Sequence, residues 1–431
     1  MKGEEMLPSL RIAHLFQSTN IKFSDSHAVQ LHILYTIRGL QQRGHRVSLL
    51  ALQKGRRVLY TEDLKAATSD QLLNCHFGEL GVTGRLPFKL FESGIRRIQA
   101  ASGLPYLGLF DSYRLYDASC RNLQGYDLIH ERYNLLAIGG ALASRRLGIP
   151  FVLETNADVI EQRVFRGTPD RGVRRLYAVW AARFCFNTAA KIICVSSELK
   201  DHLVRKWKID ASKLAVLPCA ADVEMFGQAY DPAAVRRRLG LTTEAIAMWV
   251  GGFYPWHDLD LLVDSFQRVL ERVPTARLIL VGDGPTRPLV ERKILAAGLQ
   301  EAVLLTGSVD HEQVAELLSI ADVAVAPSPS SFPGHGGTPL KLFEYMAAGK
   351  AIVATGMSQA RAVIRDGYNG LTVEPEDVTA FANAILRVFN DPDQRERLSQ
   401  NARQQAIAQF SWTRYAERLE QIYADVLAGQ E

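Results

Sequence analysis

The sequence predicts an α/β protein made of two doubly wound domains. Short apolar runs alternate with helical patterns in both halves of the 431-residue chain, as in parallel sheets covered by helices. The length suits two or three domains of roughly 150 residues. Charge divides the chain too, because residues 1–208 hold 30 Lys+Arg and 18 Asp+Glu whereas residues 209–431 hold 20 and 28. We therefore expect a basic N-terminal domain over 1–208 and an acidic C-terminal domain over 209–411.

The N-terminal half begins with a strand–helix–strand pattern. The apolar run 10–16 predicts a buried strand, and 28–42 has apolar residues at helical spacing before a capping Gly44. The run 46–52 predicts the second strand, which completes the first unit of a doubly wound sheet. Further strands are predicted at 128–130, 151–153 and 192–195, and a helix at 137–146. No helix or strand is assigned to residues 60–125.

The C-terminal half repeats this alternation. Strands are predicted at 245–250, 277–281, 303–305, 323–326 and 351–354, and a helix at 259–273. A Gly-Asp-Gly-Pro turn at 282–285 ends the second of these strands. In open parallel sheets ligands bind outside the carboxyl ends of the strands, so the loops at those ends should form the binding site. We expect the two domains to face each other across a central cleft.

The most informative of these loops is 327–350, with the sequence PSPSSFPGHGGTPLKLFEYMAAGK. Thr338 can cap a helix whose first residue is Pro339, a position where the missing N–H costs nothing. Gly336 and Gly337 let a ligand approach the backbone closely. Exposed N–H groups and the positive end of the helix dipole then favour a phosphate group.

Two charged residues follow in the same predicted helix. Lys341 and Glu344 are three residues apart and project from nearly the same helical face. A cation near the positive end of a helix dipole is locally unfavourable, so an anionic ligand would explain Lys341. The alternative is a capped surface helix with a solvated Lys and Glu. From the residues alone both interpretations remain open.

This stretch resembles the donor-binding signature of retaining glycosyltransferase family four, whose pattern is E-x7-E followed by a helix of small residues and G-K/R. Further segments resemble the family's landmarks in the correct order, and together they extend over nearly the whole chain except about 60–125. They are Gly44-His45 with Val47, AKIICVSS at 190–197, the linker LPCAADVEMF at 217–226, VGDGP at 281–285 and DGYNGL at 366–371.

The resemblance implies a GT-B fold, in which two Rossmann-like domains face a central cleft and a C-terminal helix at about 412–431 completes the first domain. It implies hexose transfer from a nucleotide-diphosphate sugar, of UDP or GDP type, to a glycan or lipid-linked acceptor in polysaccharide or glycoconjugate biosynthesis. No further cofactor is expected. We expect no metal either, because no D-x-D pair lies in a suitable loop.

The resemblance also assigns roles to residues of the C-terminal domain. Glu344 matches the carboxylate that accepts hydrogen bonds from the ribose hydroxyls, a good chemical fit for a vicinal diol. Val309 ends the 306–309 loop, which matches the place where the nucleobase is held. Donor binding is also expected of Gly251, Gly252, Gly336, Gly337, Thr338 and Leu340.

Three departures from the family pattern matter. The first Glu falls at Gly336, and the phosphate-binding Arg and Lys fall at Gly252 and His257. Losing such a contact to the leaving diphosphate can raise the barrier by about 3 kcal/mol. We expect Lys341 and His257 to compensate, and we assign both a catalytic role. The competing hypothesis is a catalytically inactive sugar-nucleotide-binding or assembly subunit, and an epimerase or phosphorylase is disfavoured because no matching signature is present.

The N-terminal half offers a candidate of its own. His130 begins the tripeptide His-Glu-Arg at a strand end, where members of the family often have a His beside the reacting sugar. We expect it to orient the donor sugar or to accept the acceptor's proton. A His that only caps a strand end is the open alternative. Glu154, Asn156 and His27 are weaker candidates.

Composition limits the partners and the location. The five cysteines are scattered and odd in number, which indicates a reducing compartment. No apolar run is long enough for a membrane span and the N-terminus lacks a signal-peptide pattern, so we expect a cytoplasmic protein. Basic residues interleaved with aromatic ones at 85–110 and 163–184 suit either peripheral contact with the inner face of an anionic membrane or solvated helix faces. Nucleic-acid binding is not expected, because no recognised module accompanies the charge.

Overall fold

The computed structural model describes residues 8–18, 28–53, 57–61, 78–331 and 340–429. They form two compact units. Unit 1 contains the described residues up to Pro218 and those from Tyr415 onward, and unit 2 contains those between Cys219 and Arg414. The chain therefore passes from one unit to the other near residue 218 and returns near residue 414.

Unit 1 is built on a sheet of seven described strands. They are β1 (Arg11–Gln17), β2 (Arg46–Gln53), β3 (Arg57–Thr61), β4 (Leu128–Arg132), β5 (Phe151–Thr155), β6 (Lys191–Cys194) and β7 (Leu214–Val216). Their order in the sheet is β3-β2-β1-β4-β5-β6-β7. All neighbours are parallel except β2 and β3, which are antiparallel.

Unit 2 contains a second sheet, of six described strands that are all parallel. They are β8 (Ile246–Val250), β9 (Arg277–Val281), β10 (Val303–Gly307), β11 (Val323–Ala326), β12 (Ala351–Thr355) and β13 (Leu371–Val373). Their order is β10-β9-β8-β11-β12-β13. The order reverses at β8 and β11, the kind of switch point at which doubly wound sheets bind ligands.

Helices connect the strands of both sheets. The described helices are α1 (Ala28–Gln42), α2 (Leu86–Ser102), α3 (Leu109–Asn122), α4 (Gly139–Leu147), α5 (Val159–Phe165), α6 (Gly172–Thr188), α7 (Ser197–Trp207), α8 (Pro232–Arg238), α9 (Leu259–Leu270), α10 (Arg287–Ala296), α11 (His311–Leu318), α12 (Leu340–Ala347), α13 (Ser358–Val363), α14 (Val378–Asn390), α15 (Pro392–Gln409) and α16 (Trp412–Ala428). None of these helices has the length and apolar character of a membrane span.

The predicted fold class, two doubly wound α/β domains, is confirmed by these two sheets. The central strands follow the apolar runs closely, because a parallel strand with helices on both faces is buried on both sides. Every residue of β8 and β12 is buried. The prediction did not include β3, β7 or β13, which are short strands near the ends of their sheets. The unplaced stretch 60–125 contains α2 and α3.

Candidate functional site

Two loops at the carboxyl ends of β8 and β9 lie directly against each other. The N–H of Gly251 donates to the carbonyl of Val281 at 2.9 Å. A Cβ added to Gly282 would lie 1.9 Å from the carbonyl oxygen of Gly251, and one added to Gly284 would lie 2.6 Å from that of Phe253. Both glycines also have positive φ values, +131° and +159°. The predicted turn after β9 is therefore needed for the packing of these two loops, because no other residue fits there.

Lys341, the second residue of α12, is buried against the loop after β8. Its Nζ lies 4.1 Å from the centroid of the Trp249 ring and 3.5 Å from Nδ1 of His257. A Cβ on Gly251 would lie only 2.7 Å from Nζ, so glycine leaves the space that the ammonium fills. No carboxylate of the described residues lies within 4.0 Å of Nζ. Burial lowers the pKa of Lys341 to about 7, although the charge of Glu344 acts in the opposite direction.

His257 lies in a short 3-10 turn, Pro255–His257, beside this lysine. Its ring meets Trp249 edge-on, with ring centroids 5.5 Å apart. Burial, assisted by the charge of Lys341, lowers the pKa of His257 well below its usual value. The imidazole is therefore neutral at pH 7, where it can accept a hydrogen bond from Lys341 but supplies no cation of its own.

Gly252 is the position at which the family pattern has an Arg. A Cβ there would lie 2.5 Å from the ring of Tyr254, which stacks on Trp256 with centroids 4.4 Å apart. The Tyr254 ring thus occupies the space in which a side chain at 252 would begin. Among the described residues expected to contact a diphosphate at this loop, Lys341 is therefore the one that can carry a positive charge at pH 7.

Glu344 lies one turn further along α12 and is paired with a residue that the sequence analysis missed. Its Oε1 is 2.9 Å from Nε2 of His311, the first residue of α11. The ring of His311 also packs edge-on against Phe226, with centroids 5.2 Å apart. Burial lowers the pKa of His311, but the hydrogen bond to Glu344 and the charges of Glu344, Asp222 and Glu312 outweigh it, so the net pKa is raised. This pair can offer both an acceptor and a donor to a polar ligand.

The orientation of α12 is fixed by Tyr345, which is fully buried. Its hydroxyl accepts a hydrogen bond of 2.8 Å from the N–H of Val250 at the end of β8. The same hydroxyl lies 3.4 Å from the carbonyl of Val325 in β11. One side chain thus ties the helix that contains Lys341 and Glu344 to the two strands at the switch point.

The loop between β10 and α11 contains Val309, the predicted base-binding position. Val309 is half-buried, and Ser308 and Asp310 beside it are exposed. Gly307 has a φ of +74°, and its carbonyl accepts a 2.9 Å hydrogen bond from the N–H of Gly282. The loop is therefore anchored to the turn after β9 at the same edge of the sheet.

Several predicted positions cannot be compared with the structure. Gly336, Gly337, Thr338 and His27 lie outside the described residues. Leu340, the first residue of α12, is half-buried.

His130 is placed differently from the prediction. It is the third of five residues in β4, not the strand's end, and its side chain is fully buried. Nδ1 lies 2.6 Å from the hydroxyl of Tyr423 in α16, and the ring stacks on His14 with centroids 4.8 Å apart. Its Nε2 is 3.4 Å from a carboxylate oxygen of Glu154. In unit 1 the ring therefore belongs to a buried network, because β4 continues two residues beyond the predicted end.

Glu154, at the fourth position of β5, is the centre of that network. Its carboxylate lies 3.0 Å from Nε2 of His32 and 3.3 Å from Nη1 of Arg132. With its amide oriented to satisfy both neighbours, Asn156 bridges Glu154 and Arg132 at 2.8 and 2.9 Å. Burial would raise the pKa of Glu154, but electrostatic attraction and hydrogen bonding from its neighbours His32, His130 and Arg132 lower it far below the usual range. Burial lowers the pKa of His32 itself to about 4, so this imidazole is neutral at pH 7 and Arg132 is the cation beside the carboxylate. This carboxylate is ionised and fully paired within unit 1.

Among the described residues, no group of three or more His, Cys, Asp or Glu side chains is arranged to hold a metal ion. The prediction of a metal-free site remains a prediction.

Comparison with known proteins gives a consistent result for both halves of the chain. Residues 29–225 match the model of Glycosyltransferase Family 4, and residues 233–405 match that of Glycosyl transferases group 1. A D-inositol 3-phosphate glycosyltransferase of Stackebrandtia nassauensis is 26% identical over 420 residues, 94% of this chain and 88% of the relative. The UDP-Gal:alpha-D-GlcNAc-diphosphoundecaprenol alpha-1,3-galactosyltransferase of Escherichia coli is 23% identical, covering 71% of this chain and 77% of its own.

Solved structures agree with this result at the level of the fold. Anabaena HepE, solved in complex with UDP-glucose, superposes with a TM-score of 0.67 and 17% identity over 96% of this chain and 100% of its own. At that identity the likeness concerns the two-domain architecture alone.

Proposed function

Because the chain belongs to the glycosyl transferases group 1 family and is a glycosyltransferase of GT-B fold, we propose that it transfers a hexose from a nucleotide-diphosphate sugar. The acceptor would be a glycan or a lipid-linked molecule, and the anomeric configuration of the hexose would be retained. The observation on which the proposal rests most is Lys341, a buried ammonium without a carboxylate within 4.0 Å among the described residues. It lies at the amino end of α12, where a helix dipole already favours an anion. A diphosphate placed there would supply the missing negative charge.

The donor would bind at the carboxyl edge of the unit 2 sheet. Lys341 would contact the diphosphate, and His257 would hold the ammonium in place through its Nδ1. Glu344 would accept hydrogen bonds from the ribose hydroxyls, while His311 holds the carboxylate in position through its Nε2. The base would lie against the loop that contains Val309. Gly251 and Gly252 would let the sugar-diphosphate approach the backbone.

The reaction would break the bond between the anomeric carbon and the diphosphate oxygen and form a bond from that carbon to the acceptor oxygen on the same face. The departing oxygen gains negative charge as its bond breaks. Lys341 would stabilise that charge in a site shielded from water, where such contacts are strongest. The acceptor's proton would pass to an oxygen of the leaving diphosphate, so no protein base is required. His130 is not assigned a step, because its side chain is buried in the unit 1 network.

The acceptor class follows from the same family relationship. The Escherichia coli relative acts, by its name, on a diphosphoundecaprenol-linked sugar, and the Stackebrandtia relative on inositol 3-phosphate. We extend the proposal to a sugar on a glycan or lipid carrier, used in polysaccharide or glycoconjugate synthesis in the cytoplasm.

A second candidate function is a sugar-nucleotide-binding subunit without turnover. The observation that favours it is the loop after β8, where Gly252 has no side chain and His257 is neutral at pH 7. Such a subunit would keep Glu344 and the loop that contains Val309 for binding, but it would lack enough cationic charge to stabilise a leaving diphosphate.

The experiment that separates these functions is a panel of UDP- and GDP-hexoses tested for transfer to lipid-linked and oligosaccharide acceptors. We expect turnover with one donor, and Lys341→Met should lower kcat by about a hundredfold or more, the scale of losing one charge-stabilising contact. Lys350→Met is the matched control, because Lys350 is also largely buried in unit 2 but donates to the carbonyls of Ser319 and Ala321. Donor binding without transfer to any acceptor would favour the binding subunit instead.

A further inference from the structure

Helix α2 has its polar side turned inward. Glu92 is 0% exposed and lies 2.5 Å from Nη2 of Arg114, which is itself 1% exposed. Arg96 donates to the second oxygen of Glu92 at 2.8 Å and to Asp111 at 3.1 Å. A helix on the surface of a protein normally buries its apolar side and exposes its charges. Here an ion-pair network holds the helix to unit 1, so the apolar side is left outward.

The outward side of α2 and its flanking residues is unusually apolar. The large side chains there are between 37% and 67% exposed. They are Val82, Leu86, Leu90, Phe91, Ile95, Ile98, Leu104 and Leu109. Single exposed apolar residues need no explanation, but a cluster of this size marks a surface that contacts something else.

A second exposed apolar row lies on α6, also in unit 1. Val173, Leu176 and Trp180 are spaced three and four residues apart, so they share one helical face, and they are 51% to 72% exposed. The two helices are connected, since Arg174 of α6 donates to the backbone carbonyl of Tyr106 in the loop after α2. The guanidinium of Arg96 in turn lies over the Tyr106 ring, 4.9 Å from its centroid. The two rows therefore belong to neighbouring parts of one surface.

The charges on this surface have a single sign. The segments 82–113 and 170–188 contain three carboxylates, Glu92, Asp111 and Asp170, and each is buried in an ion pair. The exposed charged residues of the two segments are all cationic. They are Arg85, Lys89, Arg97, Arg171, Arg175 and Arg183. We call these cations, together with the two apolar rows, the apolar–cationic surface.

We propose that the apolar–cationic surface docks the protein onto an anionic lipid bilayer. Apolar side chains with an indole among them suit the boundary between headgroups and acyl chains, and the cations are attracted to anionic headgroups. The charge complementarity selects this occupant, because a second copy of the chain would bring six like-charged residues against six others. The proposal does not depend on which sugar is transferred.

The test uses the whole chain and lipid vesicles in a flotation assay. Vesicles of phosphatidylcholine with one-third phosphatidylglycerol should bind the protein, and vesicles of phosphatidylcholine alone should bind it at least tenfold more weakly. Binding should weaken as sodium chloride is raised, because the electrostatic attraction is screened. Arg97→Gln and Arg175→Gln should each weaken binding about fivefold at low salt, the factor equivalent to about 1 kcal/mol for one cation near an anionic surface.

Substitutions of exposed apolar residues by Ser test the apolar part of the surface. Leu90→Ser combined with Phe91→Ser should reduce vesicle binding at least tenfold, with only a small change in melting temperature because both side chains are mostly exposed and Phe91 loses one ring contact, with Phe110. Leu289→Ser with Leu295→Ser is the matched control, since these residues are equally exposed but lie on α10 of unit 2. Arg292→Gln is the corresponding control for charge. Both controls should bind vesicles as the unmodified chain does.

Trp180 gives a direct measure of insertion. Its fluorescence should be quenched by phospholipids brominated near the headgroup end of the acyl chain, and Trp180→Phe should remove most of that quenching while keeping the binding. The proposal is overturned if anionic vesicles do not bind the chain at low salt, or if the Leu90 and Phe91 variant binds as tightly as its control. It is also overturned if the chain forms dimers that this variant dissolves, because a second copy would then be the occupant.

Discussion

Two buried ionisable groups near the carboxyl ends of their sheets differ in how they are compensated. Glu154 of unit 1 has His32, His130 and Arg132 around it. Lys341 of unit 2 has an indole ring and a neutral imidazole nearby but no carboxylate within 4.0 Å among the described residues. A buried charge is tolerated when it is paired and is costly when it is not. The first charge is therefore satisfied by the fold itself, and the second is a place where a ligand of opposite charge would be stabilised.

The largest effect should come from breaking the satisfied network. Glu154→Gln should lower the free energy of unfolding by about 3–5 kcal/mol, because removing the carboxylate leaves the largely buried guanidinium of Arg132 without its counter-ion. Denaturant unfolding measures this value. Glu161→Gln is the control, since Glu161 pairs with Lys206 at the surface, where a pair contributes about 1 kcal/mol or less. If both substitutions lower the free energy of unfolding equally, the Glu154 network contributes no more to stability than a surface ion pair.

The second prediction concerns Glu344 in unit 2 and its effect on ligand affinity. Glu344→Gln should weaken nucleoside diphosphate binding by about 1.5–3 kcal/mol, the scale of hydrogen bonds to a charged group. The pKa of His311 should fall as well, because its raised value depends on this carboxylate. Calorimetry and NMR titration measure the two quantities. Glu316→Gln, which affects a surface pair with Arg238, should change neither.

The pH dependence of donor binding tests whether Lys341 takes up a proton when a diphosphate binds. The pKa of Lys341 is lowered to about 7 in the free protein, and a bound diphosphate would favour the charged form. Above pH 7 binding must therefore include uptake of a proton, so affinity should fall by up to tenfold, about 1.4 kcal/mol, per pH unit. Lys341→Arg should abolish this slope between pH 7 and 9, because arginine stays protonated. A slope that persists in that variant would assign the titration to another group.

The last effect, on stability, is expected at the anchor of α12. Tyr345→Phe removes the acceptor for the N–H of Val250 and should destabilise unit 2 by about 1–3 kcal/mol, the cost of leaving a buried donor unsatisfied. Hydrogen exchange of the Val250 amide should also speed up. Tyr254→Phe is a suitable control, because Tyr254 is 39% exposed. Unchanged exchange at Val250 would mean that other contacts orient the helix.

The sequence predicts the sheets and the loops at their carboxyl ends well, for a physical reason. Parallel strands covered on both faces are continuous apolar runs, and a backbone contact such as that between Gly251 and Gly282 admits only glycine. Lys341 could be found because it is close in sequence to the glycine-rich loop. His311 could not be linked to Glu344, because the contact joins two helices 33 residues apart. Its one local signal is its position directly after the loop that contains Val309.

Two other features could not be predicted from the sequence. His130 was assigned to the end of a strand because the apolar run stops there, but β4 continues through the charged residues Glu131 and Arg132, so the imidazole lies inside the sheet. For α2 the sequence shows apolar and basic residues together and leaves open which face is buried. The ion pair between Glu92 and Arg114 shows which face is buried, and these two residues are 22 positions apart.

The return of the chain to unit 1 has a consequence for how the protein is made. Residues of α16 complete unit 1, where Tyr423 contacts His130 and Glu420 pairs with Arg43. A ribosome adds about 5–20 residues per second, so roughly 10–40 s separate the synthesis of residue 218 from that of residue 415. During that interval the nascent unit 1 lacks its last helix, and the groove that α16 will fill stays open. Unit 2 can reach its final form before the part of the chain that was translated first.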